Sequence, residues 1–173
     1  TLDGSAPTQA AGMLYTVPIH VATTKTLRAA AFKASFRPTN ADAHTYIFPE
    51  DVVRQTGAGF PASWGGTPAD YEMDPEVVEN PRYRDTIRDD IVSRIPTFSI
   101  AMDVADIFGP RGIYSNSEGR GDAWEKPCSV ELIRPDGSSG WQVNCGVRIF
   151  GYGWRSHSAS MKHALRLMFK RKY

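Results

Sequence analysis

Cysteine is scarce in this sequence: Cys128 and Cys145 are the only two among its 173 residues. Two thiols cannot build the disulfide framework of a small secreted scaffold, and no CxxC spacing offers zinc or redox chemistry. Also missing is any apolar run near the roughly 18 to 20 residues that a membrane helix requires, so no membrane span is expected. Thr1-Leu2-Asp3-Gly4-Ser5 brings no start methionine, basic n-region or apolar h-region, and no targeting signal is readable there. Carboxylates vanish after Asp136, while Arg148, Arg155, Lys162, Arg166, Lys170, Arg171 and Lys172 follow. With a formal net charge of +1, that local excess leaves two readings open. It is either a face for an anion or phosphate, or a surface whose acidic partners lie beyond Tyr173. The balance gives no ground for a nucleic-acid partner.

Other chemistries are absent as motifs. No Gly-x-Ser-x-Gly elbow occurs, and neither cysteine has a histidine close in sequence. His20, His44, His157 and His163 lack metal-ligand spacing, and Asp70, Glu72 and Asp74 lack the glycine and distal glutamate of a calcium loop. No metal ligand is therefore expected among these residues.

What is present is ordinary globular material, 41% hydrophobic and 23% charged, enough for one domain or one and a half. The Asp3-Gly4 turn calls for a strand before it, which predicts a β-module entered partway. Strand patterns follow at Tyr15 to Val21, Thr26 to Ala34 and His44 to Phe48, reading together as a small β-meander. From Pro49 to about Ser93 the texture changes. Gly57, Gly59, Pro61, Gly65, Gly66 and Pro68 predict a linker with short helices, one opened by Asp74-Pro75 and one running from about Pro81 to Ser93. Phe60, Trp64 and Tyr71 in that stretch read either as a sugar-stacking platform or as pins to a neighbouring domain.

Beyond Ile95 the pattern predicts an antiparallel sheet. Phe98, Ile100 and Met102 alternate as a strand, and Asp103 caps a helical turn that stops at Gly109-Pro110. Ser129 to Arg134 and Trp141 to Phe150 flank Pro135-Asp136-Gly137-Ser138, the strongest hairpin signal in the chain. A two-residue Asp136-Gly137 turn sets Leu132 opposite Trp141, Val130 opposite Val143 and Cys128 opposite Cys145; a longer loop through Ser139-Gly140 shifts that register. Opposed Cβ atoms lie about 4.5 to 5.5 Å apart, which leaves open a cross-strand bridge or two buried thiols. Lys162 to Lys170 alternates with period two and predicts a last strand.

The candidate chemistry gathers before that strand. Gly151-Tyr152-Gly153 reads as an ordinary glycine turn or as one whose bare backbone approaches phosphate oxygens. Lys162, at the head of the strand, is a candidate phosphate contact of the kind that strand lysines supply in protein kinases. Arg148 and Arg155 are further candidates, each with surface charge as the alternative.

Two resemblances add to this. Thr1-Leu2-Asp3-Gly4-Ser5, Tyr15, Pro18-Ile19, Thr26-Leu27-Arg28-Ala29 and Thr45-Tyr46 resemble the second half of the Ig-like module of the chitobiase/β-hexosaminidase C-terminal type. Ile95-Pro96-Thr97-Phe98-Ser99, Phe108-Gly109-Pro110-Arg111-Gly112-Ile113-Tyr114, Trp124-Glu125-Lys126-Pro127, Val143-Asn144-Cys145-Gly146-Val147-Arg148-Ile149 and Met161 to Phe169 resemble the opening of CotH kinase family proteins. The expectation is an α+β, mainly β chain: a partial Ig-like module at 1–48, the linker at 49–94, and the first part of an atypical kinase lobe at 95–173. The second resemblance implies ATP- and magnesium-dependent phosphotransfer to serine of a coat or surface protein, outside the cell or at a bacterial surface. Its catalytic aspartates map onto no residue here, so the chain itself is expected to be inactive, with Lys162, Arg148, Gly151, Gly153 and Arg155 as its nucleotide-side contacts. The alternative is an adhesion or polysaccharide-binding protein in which the kinase-like fold is inert scaffold.

Overall fold

The computed structural model describes residues 1–138, 140–170 and 173. Ser139, and with it part of the longer-loop alternative, and two of the basic tail residues, Arg171 and Lys172, lie outside the described residues. The chain is mainly β with few helices. In order it forms β1 (Lys25–Ala29), β2 (Asp42–Tyr46), α1 (Pro49–Val53), β3 (Ser63–Trp64), β4 (Thr67–Pro68), α2 (Pro75–Val78), α3 (Arg84–Ser93), β5 (Thr97–Ala101), α4 (Val104–Phe108), β6 (Lys126–Ile133), β7 (Trp141–Phe150) and β8 (Ala164–Met168). The pairs β1–β2, β3–β4, β5–β6 and β7–β8 are antiparallel, and the largest sheet has the order β5-β6-β7-β8. Two compact units share the chain discontinuously. The first takes Thr1–Arg54, Met73–Ala101 and Ser129–Val143; the second takes Gln55–Glu72, Met102–Cys128 and Asn144–Tyr173.

In the first unit β1 pairs with β2 from Lys25 opposite Tyr46 to Ala29 opposite Asp42. Thr26 and Thr45 face each other with their hydroxyls 3.0 Å apart, a cross-strand pair of the kind that fixes register. Thr45 also gives its N–H to Glu131 at 2.7 Å. The expected meander is corrected here: residues 15–21 form no strand, the strand expected to reach Ala34 ends at Ala29, and the one expected over His44 to Phe48 lies two residues earlier, at Asp42–Tyr46. The free edge of β1 is already used, because Arg28 and Thr1 exchange backbone hydrogen bonds at 3.0 and 2.9 Å. Pro18 removes a further N–H that a ladder would need. Met13, Leu14, Tyr15 and Val17 accordingly stand exposed.

The helices of this unit follow their caps. Asp74 accepts from the Glu76 N–H at 2.9 Å with Pro75 at the first helical position, as the sequence predicts. The second helix begins at Arg84 rather than Pro81. Residues 81–83 are a turn held by Asn80, whose side chain accepts from Arg82 at 2.9 Å, and the ladder starts with Arg84 N–H to Asn80. β5 and β6 pair from Thr97 opposite Ile133 to Ala101 opposite Ser129, with Val130 fully buried.

The second unit contains a hairpin that the linker reading misses. β3 and β4 turn through Gly65 and Gly66, whose φ angles of 53° and 86° put both in the left-handed region that a tight hairpin demands. Trp64 is buried, its indole N–H donating to the Tyr71 hydroxyl at 3.0 Å, which donates in turn to the Pro61 carbonyl at 2.9 Å. Rings of Trp64, Tyr71, Phe108 and Tyr114 pack with centroids 5.0 to 6.2 Å apart. Offset and edge contacts of this kind add to simple area burial. Asp103 caps α4 by accepting from Ala105 at 2.9 Å, as its position predicts. β7 and β8 pair from Gly146 opposite Met168 to Phe150 opposite Ala164. The last strand is thus shorter than its pattern and begins two residues after Lys162.

Candidate functional site

The connection between β7 and β8 in the second unit carries most of the candidate residues. Gly151 enters it with φ of 120°, a conformation costly for any side-chain-bearing residue, and Gly153 opens a single 3-10 turn ending at Arg155. Arg155 is only 8% exposed. Its Nε donates to the Ser117 carbonyl at 3.1 Å and its Nη2 to the Gly119 carbonyl, so it binds the turn to the 115–119 loop. Burial, and then the neighbouring Arg120 and Arg148, hold its pKa below the ordinary guanidinium value. Three guanidinium groups therefore share one neighbourhood. Arg148 is steadied by Asp122 at 3.2 Å, and Arg120 lies 5.4 Å over the Tyr152 ring. Tyr152 and Trp154 point outward, 84% and 69% exposed.

Beside the turn is an open cleft of about 420 Å³ lined by Ser115, Asn116, Ser117, Ser156, His157 and Ser158 among others. His157 connects it to the interior. His157 Nε2 lies 2.8 Å from the Tyr114 carbonyl, His157 Nδ1 lies 2.9 Å from His163 Nε2, and His163 Nδ1 lies 3.2 Å from the Trp154 carbonyl. The three contacts form one chain from the Tyr114 carbonyl through both rings to the Trp154 carbonyl. Burial first, then His157 and Arg155, push the His163 pKa down, against the pull of the Trp154 carbonyl.

Lys162 is half exposed. Its Nζ donates to the Glu72 carbonyl at 2.7 Å and stands 3.5 Å from an Asp70 carboxylate oxygen. Gly151, Gly153 and Arg155 thus belong to one turn, Arg148 to the adjoining strand, and Lys162 to the far end of the connection with its own acidic partner. The sequence reading does not reach the 115–119 loop or the histidine pair. The histidines are sought there as metal ligands, whereas His157 meets the Tyr114 carbonyl from a distant segment, which no local spacing reveals. Phe60, Trp64 and Tyr71 are accounted for as packing within this unit.

Residues 1–43 match the family model of the chitobiase/beta-hexosaminidase C-terminal domain. β1 lies inside the matched stretch, and β2 starts at its end. No curated protein matches the chain, and no solved structure does. No helix among the described residues is long and apolar enough to cross a membrane.

Proposed function

We propose that residues 95–173 form the nucleotide-side strands of a CotH-like atypical protein kinase that, in the full-length protein, moves phosphate from ATP to serine of a coat or surface protein. The observation that carries this reading is Lys162. It stands at the approach to β8, reaches solvent, and is oriented by Asp70 and the Glu72 carbonyl, the arrangement in which an acidic partner holds a phosphate-contacting lysine ready. Arg148 and Arg155 with Arg120 supply positive field elsewhere in the same unit, and the cleft there brings hydroxyl and amide groups. These residues bind and orient a triphosphate; none of them is assigned as the base.

No magnesium ligand is assigned among the described residues. Among the described residues no group of three or more His, Cys, Asp or Glu converges, and Asp70, Asp106, Asp122 and Glu125 each already face a lysine or arginine. No step is routed through the metal. A location outside the cell or at a bacterial surface goes with this reading.

The test is nucleotide titration of the full-length protein. Lys162→Ala is expected to weaken ATP binding by about 10- to 100-fold, the loss of one charge-assisted contact. Equal affinity in variant and wild type removes Lys162 from the site. The exposed pair Tyr152 and Trp154 favours the second reading, a polysaccharide-binding surface protein; ATP-independent retention on glycan beads, lost in Trp154→Ala, is its signature.

A further inference from the structure

Cys128 on β6 and Cys145 on β7 face each other across the strands with their sulfurs 3.5 Å apart, both as free thiols. They are 3% and 0% exposed, set in the buried layer with Val147 and Ile149. The sequence holds no third cysteine. Bonded sulfurs stand about 2.05 Å apart, so closure asks for a shift of about 1.5 Å. From this geometry we propose that Cys128 and Cys145 are an oxidisable dithiol, closed to a cross-strand disulfide by a disulfide oxidant, either a low-molecular-weight disulfide or the oxidised dithiol of an oxidoreductase.

The reaction balances as an exchange. One cysteine loses its proton, and its thiolate attacks a sulfur of the oxidant, forming a mixed disulfide and releasing one reduced thiol. The second thiolate attacks the protein sulfur of that mixed disulfide, closing Cys128 to Cys145 and expelling the second reduced thiol. Two electrons pass to the oxidant, and the two cysteine protons end on its thiols. Burial pushes the Cys145 thiol pKa up and shields both sulfurs, so exchange proceeds from a locally opened β6–β7 pair. It is slow in the intact fold and speeds up in mild urea. Once closed, the link restrains the 126–150 hairpin in the unfolded chain as well as the folded one. The inference stands apart from the kinase reading, since the bridge forms or fails regardless of nucleotide.

The full chain is incubated with reduced and oxidised glutathione in mild urea, returned to buffer, treated with iodoacetamide and weighed intact. The expected product has lost two hydrogens, takes no iodoacetamide, yields a Cys128–Cys145 linked peptide, and unfolds several degrees higher until dithiothreitol reverses the change. Two alkylated cysteines, glutathione adducts without an internal link, or chain-to-chain dimers each overturn the proposal. Cys145→Ser serves as the second arm. Its unfolding midpoint must not rise under the same oxidation, and a rise there removes the bridge as the cause.

Discussion

His163 shows how a buried titratable group ties local geometry to solution conditions. Its folded pKa is lowered, chiefly by burial, while an unfolded histidine titrates at about 6.5. The folded chain therefore binds a proton less readily than the unfolded one, and acidification favours unfolding. Stability from this residue is fully present above about pH 6.5 and drains away as pH falls below it. Unfolding midpoints measured from pH 8 to pH 5 are expected to drop on the acid side for wild type and to drop less for His163→Gln. Parallel curves for the two proteins remove His163 as the source. Neither histidine announces this in the sequence, because the Tyr114 carbonyl that His157 meets lies 43 residues away and the burial of His163 comes from tertiary packing.

At the scale of elements, the turns decide what can be read. The Asp74 and Asp103 caps and the opposition of Cys128 to Cys145 follow from short-range chemistry, and the structure keeps them. The Tyr15 to Val21 pattern is equally strand-like, yet a strand needs an open edge, and Thr1 occupies the edge of β1. Pattern describes what a segment tolerates; pairing depends on what else is free. The β3–β4 hairpin is the opposite case. Its Gly65-Gly66 signal stands in the sequence, but two-residue strands are too short to alternate visibly. Gly66 has φ of 86° and open space where a Cβ would go, so Gly66→Ala meets only backbone strain. The expected cost is about 1 to 2 kcal/mol, read from denaturant midpoints at unchanged slope. A neutral result there means that the turn relaxes to another type.

At the scale of the chain, part of the charge that looks lopsided in sequence is paired in space. Three of the basic residues after Asp136 find carboxylates from earlier segments of their own unit: Arg148 meets Asp122, Lys162 meets Asp70, and Lys170 meets Glu125 at 2.7 Å. Of the two readings that the sequence left open, neither foresees partners upstream, because the unit is assembled from three separated stretches. These pairs differ in worth. The Glu125 side chain is fully buried, whereas both members of the Lys162 pair are open to water. Lys170→Met is expected to cost about 2 kcal/mol by removing one charge-assisted hydrogen bond from a buried carboxylate. Lys162→Met is expected to cost less than about 1 kcal/mol. Similar losses in urea titrations of the two variants contradict this ranking.

The turn after β7 is pinned from inside. A guanidinium sunk beneath the backbone does the holding, and so Tyr152 and Trp154 can stand in water without the chain under them being slack. Much of the ordering that recognition normally demands of a loop is complete before any partner arrives, and what stacks on these rings need freeze little more than itself.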